Sequence, residues 1–126
     1  MITSFKTLVE AANREVDVME PDQAQALSGD PSVQFIDVRE TGEWQQATIP
    51  GALHLPRGLL EFMADPESPM HKADLDPDKK LVVFCASGGR SALAAKTLKD
   101  MGYTDVANMT GGFNAWSQAG KPATKP

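Results

Sequence analysis

The chain has 126 residues, of which 41% are hydrophobic and 23% charged, so it is long enough for one domain with a hydrophobic core. Its net charge of −5 argues against a nucleic-acid surface, and its apolar runs are too short to cross a bilayer. A single cysteine excludes an internal disulfide and a zinc site built from cysteines. The first residues lack the layout of a signal peptide, so we expect a cytoplasmic protein.

The first half of the chain predicts helices that alternate with short strands. Ser4 can cap a helix whose apolar residues follow helical spacing, namely Phe5, Leu8, Val9 and Ala12. Further along, the pattern predicts an edge strand at 16–19, a helix from Pro21 to near Gly29, a strand at 33–38, a helix at 41–46, a strand at 52–55 and a short helix at 59–63.

The second half begins with a polar connection and then continues the alternation. Residues 64–80 hold three prolines and many charges, which indicates an exposed connection with at most one helical turn. The apolar run 81–84 is typical of the middle of a parallel sheet. A helix from Arg90 or Ser91 to Met101, a strand at 105–108 and a helix at 113–119 complete the pattern. We expect the first of these helices to bury Ala94, Ala95, Leu98 and Met101.

Strands alternating with helices over this length predict an α/β fold with a mainly parallel central sheet flanked by helices. We expect an N-terminal helical extension over 1–15, one domain over 16–120 and a loose tail over 121–126. The sequence contains no recognisable metal site, Walker loop or dinucleotide fingerprint, and we expect no cofactor.

The segment from Cys85 to Ser91 carries the clearest chemical signal. It lies between the most apolar strand and a strong helix, and ligands of open α/β sheets bind at that edge. Two adjacent glycines permit a tight turn, and uninterrupted backbone N–H groups at a helix start bind anions. These N–H groups and Arg90 would lower the pKa of the thiol and favour the nucleophilic thiolate. We therefore predict Cys85 as the nucleophile and, as the binding loop around it, Ala86, Ser87, Gly88, Gly89, Arg90 and Ser91.

Four short motifs follow one another between Val18 and Trp116. They are the loop from Cys85 to Ser91, Asp37-Val38-Arg39 followed by Glu43-Trp44, Ile49-Pro50-Gly51-Ala52, and Gly111-Gly112-Phe113-x-Ala115-Trp116. In order and spacing they resemble the motifs of the rhodanese-like domain family, over nearly the whole chain.

The resemblance implies a rhodanese-like three-layer domain and a transfer of sulfane sulfur. Cys85 would take the outer sulfur of a small anionic donor, thiosulfate or a persulfide, and hold it as a persulfide. Cyanide or a thiol would then accept it, and a protein donor or acceptor is a further partner class. Because no second cysteine exists, the acceptor must lie outside the chain.

The chain departs from the family pattern at two places. Ala47 and Thr48 replace the usual Gly-His before Ile49, which we expect to change local packing more than catalysis. Ala86 and Ser87 replace the basic side chain that efficient thiosulfate users tend to have in the loop. We therefore expect thiosulfate to be a poor donor compared with a persulfide or a protein.

Four polar residues outside the loop are candidates for structural or secondary roles. Asp37 is interpreted as part of a structural ion pair with Arg39, for which Glu43, four residues after Arg39, is a further candidate partner. Arg39 and Arg57 are possible secondary site residues. His54 is interpreted as a hydrogen-bonded core histidine. No partner is evident for His71.

Other functions remain as alternatives. Cys85 as an unreactive core residue is disfavoured, because a strand end needs neither the glycines nor the arginine that follow it. A cysteine phosphatase needs Cys-x5-Arg, whereas the chain has Cys-x4-Arg from Cys85 to Arg90, a spacing that still admits an arsenate reductase. A persulfide carrier or regulatory binding module acting on a partner protein is the remaining alternative.

Overall fold

The computed structural model describes residues 1–126, in which six α-helices alternate with five strands. The strands are β1 (Asp17–Met19), β2 (Val33–Asp37), β3 (Leu53–His54), β4 (Lys80–Phe84) and β5 (Val106–Met109). The helices are α1 (Phe5–Glu15), α2 (Pro21–Gln25), α3 (Thr41–Gln46), α4 (Leu60–Ala64), α5 (Gly89–Asp100) and α6 (Gly112–Gln118), with a 3₁₀ turn at Arg57–Leu59 before α4. No helix combines the length and the apolar character that a transmembrane span requires.

All five strands are parallel and form one sheet in the order β1-β5-β4-β2-β3. The prediction of an α/β fold with a mainly parallel sheet is thus confirmed, as is the position of β1 at an edge. β4 lies in the middle, paired with β2 on one side and β5 on the other. The residue that follows β4 is therefore held at the centre of the sheet's carboxyl edge.

Alternate residues of β4 face two separate cores, which explains its continuous apolar run. Leu81 and Val83 belong to a cluster with α4 and α5, and Val82 and Phe84 belong to a cluster with α2 and α6. The sheet with helices on both faces gives the predicted three layers.

Helix α1 is capped as predicted, because the backbone N–H of Thr7 donates to Ser4 Oγ at 3.1 Å. Its predicted apolar stripe is only partly buried: Ala12 is fully covered, whereas Phe5 is 78% and Leu8 49% exposed. The helix packs on α5 beside the sheet edge, and its first turns are left open to solvent.

Helix α5 buries Ala94, Ala95 and Leu98 as predicted. Burial of Met101 is a wrong prediction, since the helix ends at Asp100 and Met101 is 39% exposed at its cap.

The two polar segments of the chain behave differently. Residues 65–79 contain no helix and connect α4 to β4 by turns, with Leu75 buried as an anchor. The tail 121–126 was expected to be loose, and the structure corrects this: Thr48 and Thr124 exchange two backbone hydrogen bonds, of 2.8 and 2.9 Å. Pro122 O also accepts the indole N–H of buried Trp116 at 2.7 Å. The tail supplies partners that these groups would otherwise lack.

Candidate active site

Cys85 directly follows β4, and its side chain lies in a turn that leads into α5. The backbone N–H of Gly88 donates to Cys85 Sγ at 3.1 Å, and Ser91 Oγ lies 3.4 Å from the same sulfur. Gly88 adopts φ +107°, in the left-handed region that favours glycine, and this turn directs its N–H inward. The loop therefore encloses the sulfur with hydrogen-bond donors.

The pKa of Cys85 reflects two opposing effects. Burial alone raises it, because the residue is only 1% exposed. Hydrogen bonds from the Ser91 hydroxyl and from the N–H groups of Ser91, Gly88 and Ser87 together outweigh burial and lower the pKa below its ordinary value. The loop donors thus make the thiolate, the reactive form of a cysteine, easier to reach than in a free cysteine.

The first turn of α6 supports the loop from outside. The N–H groups of Phe113 and Asn114 donate to the carbonyl oxygens of Cys85 and Ala86, at 2.7 and 3.0 Å. Gly112 makes this approach possible, since a Cβ there would lie 2.5 Å from Cys85 O. With these two carbonyls engaged on the outside, the next N–H groups of the loop turn toward the sulfur.

Arg90 is not free to bind an anion with its whole guanidinium. It donates to both carboxylate oxygens of Glu43, with Nη1–Oε1 at 2.7 Å and Nη2–Oε2 at 3.0 Å. This pairing raises the pKa of Arg90, and it lowers the pKa of Glu43 from 4.5 to about 2. The charge of Cys85 also raises the pKa of Arg90, so the arginine interacts with both groups.

A buried asparagine on β5 organises the other side of the loop. Asn108 is 1% exposed; its Oδ1 lies 2.6 Å from Ser91 Oγ and shares the single hydroxyl proton of Ser91 with Cys85 Sγ, and its Nδ2 donates to Gly88 O at 3.2 Å. Nδ2 also donates to Asn13 Oδ1 of α1 at 2.9 Å. Asn108 is not among the sequence-predicted site residues, although an asparagine within an otherwise apolar strand indicates a buried polar contact.

The remaining loop residues form part of the surface. Ser87 is exposed, and Ala86 and Gly89 are half-buried. Ser87, Gly88 and Gly89 line one side of an open groove of about 370 Å³, whose other side includes Phe5 and Lys6 of α1. Two sides of the loop are thus packed, while Ser87 meets solvent.

Arg39 is buried, and its guanidinium is engaged by Asp37 and Ala47 rather than by the loop. Its Nε and Nη2 donate to the two oxygens of Asp37 at 3.1 and 2.9 Å, and Nη2 also donates to Ala47 O. The guanidinium lies 4.4 Å from the ring centre of Phe113. Asp37 accepts a further hydrogen bond from Thr48, at 2.7 Å. The structural ion pair predicted for Asp37 is present with Arg39, but the further pairing of Arg39 with Glu43 is wrong, because Glu43 contacts Arg90.

The Arg57 side chain lies beside α5, and its hydrogen bonds go to residues outside the loop. Its guanidinium contacts Glu61 at 3.1 Å and Thr97 Oγ1 at 3.4 Å. His54 is hydrogen-bonded as predicted, with Nε2 2.8 Å from Arg39 O. His71, for which no partner was evident, has Nδ1 3.1 Å from Met63 O.

The fold and the site define a class of α/β domain in which the strand at the centre of the sheet delivers a cysteine into a loop of backbone donors. The chain belongs to the rhodanese-like domain family, whose model matches residues 20–119.

Comparison with known proteins agrees with this assignment. The chain is 40% identical over 97 residues to the thiosulfate sulfurtransferase GlpE of Pseudomonas savastanoi, an alignment that covers 76% of this chain and 82% of that protein. It is 34% identical over 93 residues to YrkF of Bacillus subtilis, named as a putative sulfur carrier protein, and this alignment covers 74% of this chain but only 46% of that protein's length. These names support rhodanese-type sulfur transfer.

A solved structure from Rhodopseudomonas palustris is similar over nearly the whole chain. It has a TM-score of 0.93 and 42% identity, and the match covers 98% of this chain and 96% of that one. That protein is described as one of unknown function and a possible tyrosine phosphatase.

Proposed function

We propose that the protein is a sulfurtransferase that carries sulfane sulfur as a persulfide on Cys85. The observation that carries this proposal is the enclosure of the only thiol by loop donors, with Gly88 N–H 3.1 Å from Sγ and a lowered pKa of Cys85. A buried cysteine that only filled the core would gain nothing from such donors. The sulfur-transfer names of the relatives support the same chemistry.

The transfer has two balanced steps. The Cys85 thiolate attacks the outer sulfur of thiosulfate or of a persulfide, the donor's S–S bond breaks, and sulfite or a thiolate leaves. Cyanide or a thiolate then attacks the outer sulfur of the Cys85 persulfide, and the S–S bond of that persulfide breaks. The product is thiocyanate or a new persulfide. The second step restores the Cys85 thiolate, so no net oxidant is needed.

The acceptor comes from outside the chain, because these 126 residues hold no second cysteine to form a disulfide with Cys85. Small thiols or the thiol of a partner protein are suitable acceptors. A lone reactive thiol also needs a reducing compartment, and we propose the cytoplasm.

Turnover measurements test the proposal. With thiosulfate or a small-molecule persulfide as donor and cyanide or a thiol as acceptor, we expect turnover by the native protein and none by Cys85→Ser. Turnover that persists in Cys85→Ser would overturn the role of Cys85. Rates equal to those without protein would contradict enzymatic turnover and leave only the carrier function.

A phosphatase is the second candidate, favoured by the description of the Rhodopseudomonas palustris protein. Its loop would have to surround a phosphate with N–H groups and a free arginine. Here Arg90 follows Cys85 one residue earlier than in Cys-x5-Arg, and its guanidinium is held by Glu43. Hydrolysis of an aryl phosphate by the native protein but not by Cys85→Ser would favour the phosphatase.

A further inference from the structure

Arg90 is the only charged side chain of the loop, and Glu43 compensates its charge. The carboxylate comes from α3, a separate segment, and is held in place by a second contact. The backbone N–H of Glu40 donates to Glu43 Oε1 at 3.1 Å, so the same oxygen closes the start of α3 and receives Nη1 of Arg90. Glu43 is therefore held both by the backbone N–H of Glu40 and by Arg90. A surface side chain without such a second contact loses more conformational entropy when it pairs.

The charges around the sulfur sum to a negative value. When Cys85 reacts as its thiolate, the thiolate and the Glu43 carboxylate each contribute one negative charge, and Arg90 contributes one positive charge. The neighbouring pair of Asp37 and Arg39 is neutral in itself. In the groove beside the loop, the positive charge of Lys6 is likewise offset by that of Glu10, which lines the same groove. The loop offers N–H dipoles to a substrate but no excess of positive charge.

Such a site discriminates between donors by their charge. Thiosulfate brings two negative charges, while a thiosulfonate or a simple alkyl persulfide brings one. Repulsion from a site of net negative charge is larger for the dianion. We propose that Glu43 is a specificity-determining residue, and that by holding Arg90 it makes the site select sulfane donors with one negative charge over thiosulfate. This inference rests on the proposed sulfur transfer.

Two donors with the same reacting bond isolate the effect of charge. Methanethiosulfonate differs from thiosulfate by a methyl group in place of one oxygen. With it, the Cys85 thiolate takes the outer sulfur, the S–S bond breaks, and methanesulfinate leaves. With thiosulfate, the same bond breaks and sulfite leaves. Charge and atoms balance in both reactions, and the enzyme product is the same persulfide.

The experiment measures the second-order rate constant of persulfide formation with each donor by rapid mixing and mass spectrometry. The ratio of the two constants is divided by the ratio measured for a free thiol with the same donors. This division removes the intrinsic difference in reactivity between the two leaving groups. We expect native protein to favour methanethiosulfonate after this correction. We expect Glu43→Gln to raise the thiosulfate constant about fivefold, the effect of one charge on a dianion near solvent, and to change the methanethiosulfonate constant less.

Glu15→Gln is the matched control. It makes the same change of side chain and charge in a pair with Lys96, at a distance from the loop along α5. We expect the donor ratio of Glu15→Gln to equal that of the native protein. Glutamine at position 43 keeps an oxygen that can accept from Glu40 N–H, so α3 retains its first turn.

The possible results separate the inference from the function on which it rests. No sulfur gain by the native protein from either donor would overturn the proposed function itself. Sulfur gain with an equal donor ratio in native protein and Glu43→Gln would overturn the role of Glu43 alone. If the variant did not fold, a corrected preference of the native protein for thiosulfate would still overturn the inference, and the opposite preference would support it.

Discussion

Two arginines near Cys85 each form a bidentate pair with a carboxylate, but at different depths. Arg39 and Asp37 have side chains that are 6% and 0% exposed, and they contact Thr48, the backbone and the ring of Phe113. Arg90 and Glu43 are 37% and 35% exposed, at the edge of the loop. An unpaired charge costs far more when it is buried. We therefore expect the first pair to stabilise the fold, and the second, as proposed above, to determine which donor charge the loop accepts.

The buried pair also supports the site at a distance. Arg39 lies against Phe113, and the N–H of Phe113 holds the carbonyl of Cys85. A change at Asp37 should thus weaken both the fold and the loop, whereas a change at Glu43 should leave the fold almost intact.

Asp37→Asn has the largest expected effect on stability. The substitution keeps the shape of the side chain but leaves the buried Arg39 guanidinium without its counter-charge. We expect the free energy of unfolding to fall by about 3–5 kcal/mol, as measured by urea denaturation. A loss below about 1 kcal/mol would show that the two pairs do not differ as their burial suggests.

Gly112→Ala tests the support that α6 gives to the loop. Gly112 has φ +56°, and a Cβ there would lie 2.5 Å from Cys85 O. We expect a loss of about 2–4 kcal/mol in the free energy of unfolding, from strain and overpacking together. Sulfur uptake from a donor should fall as well, because the loop must move.

Gly120→Ala is the control for that variant. Gly120 has a similar φ of +71°, but no atom lies within 4 Å of the position that a Cβ would occupy there. We expect a loss of about 1 kcal/mol and unchanged sulfur uptake. Equal losses in the two variants would mean that backbone strain alone, and not contact with the loop, explains Gly112.

Ser91→Ala tests the donors inside the loop. The variant loses the hydroxyl that helps to lower the pKa of Cys85, so that pKa should rise. A higher pKa leaves less thiolate at neutral pH, and the midpoint of the rate of alkylation by iodoacetamide should move to higher pH. Ser117→Ala, on the exposed face of α6, should keep the native profile. A native profile in Ser91→Ala would show that the backbone N–H groups alone set the pKa.

Glu43→Gln has the smallest expected effect on stability, below about 1 kcal/mol because the pair is partly exposed. Since folding lowers the pKa of Glu43 from 4.5 to about 2, the native protein gains stability from this carboxylate above pH 4.5. That gain should be lost as the pH falls from 4.5 through 2, where the carboxylate becomes protonated. Unfolding curves of native protein and Glu43→Gln over this range should therefore converge; a constant difference would contradict the assignment.

The sequence predicts the fold well because local patterns determine it. The apolar run of β4, the glycines after Cys85 and the helical spacing of Ala94, Ala95 and Leu98 each indicate their element without knowledge of distant residues. The four motifs also resemble those of one family, and the resemblance indicates the fold of that family. The position of Cys85 at the end of the central strand follows from these features.

The partners within the site are not local, and most were not predicted. Glu43 and Arg90 are separated by 47 positions, and Asn108 and Asn13 by 95, so no periodicity connects them. The pairing first considered for Glu43 used a nearby residue of the same segment, because sequence reasoning favours near contacts. The exposure of Phe5 and Leu8 on α1 could not be predicted for the same reason. Helical spacing predicts an apolar face, but not whether a distant segment covers it.

Intact-mass spectrometry tests most directly whether Cys85 holds a sulfane sulfur. The native protein is incubated with methanethiosulfonate or thiosulfate, freed of donor and weighed, beside Cys85→Ser treated in the same way. We predict that the native mass rises by one sulfur atom, that a thiol removes this sulfur, and that Cys85→Ser gains none. An unchanged native mass with both donors, or an equal gain in Cys85→Ser, would contradict sulfur transfer through Cys85.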